Sequence, residues 1–243
     1  MDKTNSLVKI NIGCGSTPIE GWFNYDNSFS IRLSKQPILY NILSSVGFIS
    51  KNQREYINFL KHSSVFFANA TKYIPHADKS VDVIYSCHML EHLTKNDAIN
   101  FLKESRRVLK NNGIIRTVIP DIKYLVNNYI KSKDADTFIE NTFLTEEYPT
   151  LKSKIKYLFL GSRNHQWMYD ENSLSKLLTS AGFNKPQIMK PGHTNIKDHG
   201  KLDLSERATG SVCIEAFRSV SYTHLRANET EADLVCRLLL EKK

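Results

Sequence analysis

Lys9-Ile10-Asn11-Ile12-Gly13-Cys14-Gly15-Ser16, followed shortly by Gly21-Trp22-Phe23-Asn24-Tyr25-Asp26, decides the fold. Leu7–Ile12 alternates apolar and polar residues and stops at Gly13, as a strand running into a tight turn does. Glycines at the end of a first strand let the backbone bend sharply and come close to a bound ligand. Asp26 closes a second short strand, Trp22–Asp26, where a carboxylate can accept two hydrogen bonds from a ribose diol. A turn-capping role for Asp26 stays open. Gly15 and Asp26 are 11 residues apart, against about 20 in the usual nucleotide-binding unit. That leaves room for little more than one helical turn in the crossover. No third glycine stands at dinucleotide spacing, since Pro18 and Ile19 occupy that stretch, and the absence of Gly-Lys-Ser/Thr excludes a P-loop.

Outward from this unit, strands alternate with helices. Val65–Ala70 and Val81–Cys87 read as strands three and four, joined through the connector Ile74–Lys79. Thr94 caps a helix over Lys95–Lys110, with Asp97 in the carboxylate position of a capping box. Its apolar stripe is Ala98, Phe101, Leu102, Val108 and Leu109, and Gly113 follows its end. Ile114–Ile119 is a fifth strand stopped by Pro120, and Asp121 caps a helix carrying Tyr124, Leu125 and Tyr129. Asp170 opens a late helix with Leu174, Leu177 and Leu178 on one face, closed by Gly182. Lys185–Lys190 and Ser211–Phe217 are the last two strands. This alternation predicts an α/β domain with a mainly parallel sheet and a ligand crevice at the strands' carboxyl ends. The stretches 28–64 and 130–168 exceed what the scaffold needs. They read as functional covers, with surface padding or dimerisation as the alternative.

Lys and Arg number 33 against 25 Asp and Glu, a net charge of +8. The excess is spread along the chain, which argues against a nucleic-acid partner. No apolar run approaches the roughly 18 residues that span a bilayer. The polar Met1–Ser6 runs straight into a strand, leaving no room for a signal peptide. Cys14, Cys87, Cys213 and Cys236 show no metal or disulfide spacing, so a cytoplasmic location is expected. Residues 220–243 resemble a translated sequencing-library adapter. The natural protein is expected to diverge near Ser219, leaving 1–219 as the domain.

Ile10–Gly15 with Gly21–Asp26, then Ser80-Val81-Asp82-Val83-Ile84-Tyr85-Ser86-Cys87-His88-Met89-Leu90-Glu91-His92-Leu93, then Arg106–Gly113, together resemble the class I S-adenosylmethionine-dependent methyltransferases of the type 11-like branch. His165-Gln166-Trp167-Met168-Tyr169-Asp170 and Ala181-Gly182-Phe183 look like that branch's C-terminal half. The resemblance implies a Rossmann-like seven-stranded sheet, mostly parallel with an antiparallel last strand, and helices on both faces. It implies S-adenosyl-L-methionine as cofactor. Gly13, Cys14 and Gly15 would border its amino-acid part, Asp26 its ribose, and Asn69 and Ala70 its adenine. Ser86, Cys87 and His88 would approach the methionine portion. Asp82, at the opposite end of the fourth strand, reads as structural.

Methyl transfer to an aliphatic hydroxyl profits from a general base with a pKa near the working pH. His88 is the expected base, with Glu91 or His92 next and His165 as a substrate contact; a purely capping or packing role for them is the alternative. His88 and His92 lack a third ligand at metal spacing, so no metal is expected. The Asn/Asp-Pro-Pro-Tyr loop of amino-methylating enzymes and the Pro-Cys of cytosine methylation are both absent. The reading is therefore an O-methyltransferase acting on a small molecule or a glycan precursor, the glycan part following from the branch's association with polysaccharide biosynthesis. A nucleic-acid or protein methyltransferase and a non-catalytic cofactor-binding subunit are the alternatives, and the oligomeric state stays open.

Overall fold

The computed structural model describes residues 6–144 and 164–219. The reading of 220–243 as an adapter-derived tail, and part of the insertion at 130–168, fall outside them.

Seven strands form one sheet: β1 (Lys9–Ile12), β2 (Phe23–Asp26), β3 (Val65–Phe67), β4 (Val81–Cys87), β5 (Leu109–Pro120), β6 (Phe183–Ile188) and β7 (Ser211–Arg218). Their spatial order is β3-β2-β1-β4-β5-β7-β6. The first five pair in parallel, and β7 runs antiparallel to both β5 and β6. Strand order therefore reverses between β1 and β4, which opens a crevice at their carboxyl ends. The seven-stranded, mostly parallel sheet with an antiparallel last strand is the architecture expected from the sequence.

Helices α1 (Phe29–Ser34), α2 (Pro37–Ser45) and α3 (Lys51–Leu60) fill the stretch between β2 and β3. After β4, a single 3-10 turn spans Leu90–His92 and leads to α4 (Lys95–Val108). Then come α5 (Ile122–Ser132), α6 (Ala135–Thr142) and α7 (Glu171–Ser180). Thr94 does cap α4, accepting from the Asp97 amide at 3.1 Å, but the reciprocal half of the box is replaced: its hydroxyl donates to Asp97 Oδ2 at 2.9 Å. The complete capping boxes belong to α3 (Ser50, Gln53) and α7 (Asp170, Ser173).

The short crossover between β1 and β2 is made of turns, which leave backbone groups needing partners, and the buried side chain of Asn24 supplies them. Its Oδ1 accepts from the Ile19 amide at 2.7 Å, and its Nδ2 donates to the carbonyls of Ile19 and Trp22 at 3.0 Å each. Asn11 Nδ2, bonded to Asn24 Oδ1 and to the Thr17 carbonyl, ties this loop to β1.

The sheet's two faces bury separate cores, as period-two alternation requires. Ile115 and Ile119 of β5, with Val212, Ile214 and Ala216 of β7, pack under Phe101 and Leu102 of α4 and Leu174 and Leu178 of α7. Each of these side chains other than Ala216 contributes roughly 1.5–3 kcal/mol of apolar burial. Val83, Tyr85, Ile114 and Val118 face the other way, against Ile19, Trp22, Ile196 and Leu202. Here the cover includes the irregular stretch 189–210, pinned by a buried ion pair. Arg116 Nη1 lies 2.7 Å from Glu215 Oε1 across the β5–β7 register. Arg116 also donates to the carbonyls of His193 and Leu204, and Glu215 accepts from Thr194 Oγ1 and from the amide and Nδ2 of Asn195.

Candidate active site

The turn after β1 is held by backbone bonds, Gly13 N and Cys14 N both donating to the Tyr25 carbonyl at 2.8 and 3.2 Å. Gly15 N donates to Asp26 Oδ2 at 3.0 Å, and the other oxygen of the same carboxylate accepts from Ser28 N at 2.7 Å. Asp26 thus faces the glycine bend and locks both loops that leave β1 and β2. The two glycines differ in kind. Gly13 has φ +73°, and a Cβ there would meet Met89 Cβ at 2.7 Å. Gly15 has φ +50° and open space around it, where a ligand can approach the backbone closely.

That space is a cavity of about 880 Å3, within the range of small-molecule sites. Its wall includes Gly13, Gly15, Asp26, Asn69, Ala70 and His92 from among the residues expected at a site. Asn69 Oδ1 is engaged by the amide and hydroxyl of Thr71, at 3.2 and 2.8 Å. Its carboxamide can therefore offer a ligand chiefly its NH2 donors. The stretch 28–64 also reaches the cavity, through Ser28, Phe29, Gln53 and Tyr56. The Tyr56 hydroxyl donates to the Gly15 carbonyl at 3.2 Å, and burial with the nearby Asp26 charge raises its pKa. Sequence reasoning missed Tyr56 and Met89. A tyrosine on an ordinary amphipathic helix carries no local mark of the loop it will touch.

Other expected residues sit elsewhere. Cys14 turns its thiol into a small core with Ile31 and Val65, where burial pushes its pKa up to about 12. Ser86 is fully buried, and Cys87 packs against the opposite sheet core, its thiol also raised to about 12 by burial. Neither they nor His88 border the cavity. His88 has φ +48°, and its ring is held at both nitrogens, Nε2 at 2.9 Å from Ser211 Oγ and Nδ1 at 3.1 Å from Arg207 Nη1. The guanidinium only donates, so Nδ1 accepts and Nε2 carries the proton. Burial and the Arg207 charge lower the His88 pKa to about 4. The geometry thus takes the expected base out of the site, because a neutral imidazole fully engaged in structural bonds has no lone pair for an acceptor.

Beside it, the tertiary structure makes a cluster. The Glu91 carbonyl accepts from the amides of Gln166 and Trp167 at 2.7 and 3.2 Å, which brings His165 against the 3-10 turn. His165 Nε2 is 4.0 Å from Glu91 Oε1, and the rings of His92 and His165 are 5.0 Å apart. Glu91 is 1% exposed, neither carboxylate oxygen has a hydrogen-bond partner among the described residues, and burial raises its pKa to about 7. His92 is exposed, lies on the cavity wall, and its Nδ1 is 3.2 Å from the Asn164 carbonyl. The expectation of no metal rested on His88 and His92 lacking a third partner. The structure instead groups Glu91, His92 and His165.

Residues 42–117 match the family described as methyltransferase domain, a span covering α3, β3, β4, α4 and most of β5. No curated protein matches the chain. Similar solved structures include a methyltransferase dependent on S-adenosylmethionine from Thermotoga maritima, 16% identical, covering 88% of this chain and 83% of that one with a TM-score of 0.47. Others come from Methanosarcina mazei (16% identity, 88% and 92% covered, TM-score 0.49) and Mesorhizobium loti (12%, 90% and 94%, 0.46). Among the described residues, no helix is long and apolar enough to cross a membrane.

Proposed function

We propose that this chain, which matches a methyltransferase-domain family over residues 42–117, is an S-adenosylmethionine-dependent methyltransferase that methylates an oxygen of a small molecule or a glycan precursor. S-adenosylmethionine supplies a methyl group already activated on a sulfonium, so the protein's task is largely to bind and align. The observation that carries the reading is the Asp26 carboxylate bonded to the Gly15 amide on the wall of a cavity of about 880 Å3. In this reading Asp26 takes the ribose hydroxyls and the open backbone at Gly15 accommodates the amino-acid end. Asn69 and Ala70 take the base, with Asn69 donating from its carboxamide.

The base role passes from His88 to His92. A carbonyl can only accept, so His92 donates Nδ1–H to Asn164 and its lone pair resides on Nε2. An imidazole on the cavity wall, with Glu91 beside it held near neutrality, suits proton removal from a hydroxyl, the acceptor that gains most from a base. With the cofactor bound as methyl donor, His92 Nε2 would take the proton that the acceptor hydroxyl gives up as its oxygen gains the methyl group.

Calorimetric titration with S-adenosylhomocysteine tests the binding half, and 1:1 binding is expected. Mass spectrometry of host metabolites and glycans, with and without the gene, tests the acceptor half by the gain of one CH2 unit. Cofactor binding without any methylated product would favour a non-catalytic subunit.

A further inference from the structure

We propose that Glu91, His92 and His165 form a binding site for a divalent first-row transition metal, opening onto the cavity at His92. The three residues offer one carboxylate oxygen and two imidazole nitrogens, all within 4.8 Å of one another. Two histidines and one carboxylate are a ligand set of borderline character. It suits Zn2+, Co2+, Fe2+ or Mn2+ better than Mg2+, which prefers an all-oxygen shell. Donors on one such ion stand about 3.3 Å apart at bond lengths of about 2.1 Å, so a modest contraction completes the site. His92 is exposed, which leaves room for that movement.

The independent observation is Glu91 itself. Its side chain is 1% exposed, yet among the described residues neither oxygen has a hydrogen-bond donor in good geometry. A buried carboxylate left this way is costly unless a cation or a donor set offsets it. Among the described residues the basic groups nearest to it are imidazoles, His88 Nδ1 at 3.6 Å and His165 Nε2 at 4.0 Å, with the Arg207 guanidinium acting on it from farther off. His88 Nδ1 already accepts from Arg207, so it has no proton to give Glu91. A cation between Glu91 and His165 resolves the arrangement.

The surroundings are also arranged as a metal's outer shell is. His92 donates Nδ1–H to the Asn164 carbonyl, which sets its tautomer and orients Nε2. The two amides on the Glu91 carbonyl hold the 3-10 turn against the His165 segment. An ion held by these three residues would occupy His92 Nε2, so in the loaded protein it would replace His92 as the group that eases proton loss from an acceptor oxygen at the cavity wall. The metal site stands on these residues alone; its use in catalysis rests on the methyl-transfer reading above.

The test uses the full chain, stripped of metal by a chelator and free of cofactor. Co2+ is titrated and followed by visible absorption, and Zn2+ by calorimetry and thermal melting. A single Co2+ with d–d bands is expected, with Zn2+ raising Tm. Glu91→Gln and His165→Gln, each checked for folding by circular dichroism, are expected to bind Zn2+ at least about tenfold more weakly. Equal Zn2+ affinity in the parent and both variants, or no Co2+ spectrum, overturns the site. Should one variant fail to fold, the other decides. Failure of S-adenosylhomocysteine to bind would remove the methyl-transfer reading and leave the metal result untouched.

Discussion

The carboxylate of Asp26 and the amide of Gly15, 11 residues apart in sequence, meet at 3.0 Å where β1 and β2 end. The bond holds the acid toward the glycine bend and fixes the shape of the cavity at that point. Asp26→Asn keeps the size and removes the charge. A charge-assisted hydrogen bond is worth about 1.5–3 kcal/mol, so S-adenosylhomocysteine affinity is expected to fall roughly 10- to 100-fold by calorimetry. Unchanged affinity would remove Asp26 from the site.

Gly13 and Gly15 separate packing from access. In Gly13→Ala the new methyl group meets Met89 Cβ at 2.7 Å and the backbone keeps φ +73°. A loss of about 1–3 kcal/mol is expected in urea unfolding. Gly15→Ala meets nothing within 4 Å, so its stability loss is limited to the left-handed backbone, about 1 kcal/mol. Its larger effect should fall on ligand affinity.

The Arg116–Glu215 pair carries the irregular cover of one sheet face. Both side chains are almost wholly buried, at 2% and 0% exposure. Glu215→Gln leaves the guanidinium charge unpaired and weakens the bonds to Thr194 and Asn195. A loss of about 3–5 kcal/mol is expected. Hydrogen exchange should show 189–204 opening before the strands do.

Glu104 gives stability a pH dependence. Its carboxylate accepts from Arg107 at 2.8–3.2 Å and from the Ile74 amide at 3.0 Å, and these bonds, led by Arg107, hold its pKa below the ordinary range. A carboxyl depressed in the folded state stabilises above its unfolded pKa of about 4.3. That contribution is lost as pH falls through the lower folded value. Melting curves of the parent and Glu104→Gln should therefore differ at pH 7 and converge below about pH 4. An unchanged gap at pH 3 would contradict this.

What was legible in the residues was local. Alternation in Leu7–Ile12 marked the first strand, Thr94, Asp121 and Asp170 marked helix starts, and Gly-x-Gly before a strand ending in Asp26 marked an edge that the structure lines with a cavity, because such signals depend on neighbours a few residues apart. The spacing showed that the crossover is short, but not how it is held, since the partners that make a loop viable there are supplied by the side chain of Asn24, which a local pattern does not weigh. His88 was favoured as base because it follows β4. Its engagement by Arg207 and Ser211, more than 100 residues away, took it out of use.

The order of apolar, glycine and capping residues was enough for an α/β domain with a crevice at its strands' carboxyl ends, because backbone propensity and burial act along the chain; the reversal between β1 and β4 came with the tertiary structure. Only the tertiary structure decided which polar groups meet. It brought Tyr56 to Gly15, Glu215 to Arg116, and His165 to Glu91 and His92. Hydrogen bonding and ligation depend on ångström distances between segments far apart in sequence, and packing of the whole chain sets those distances.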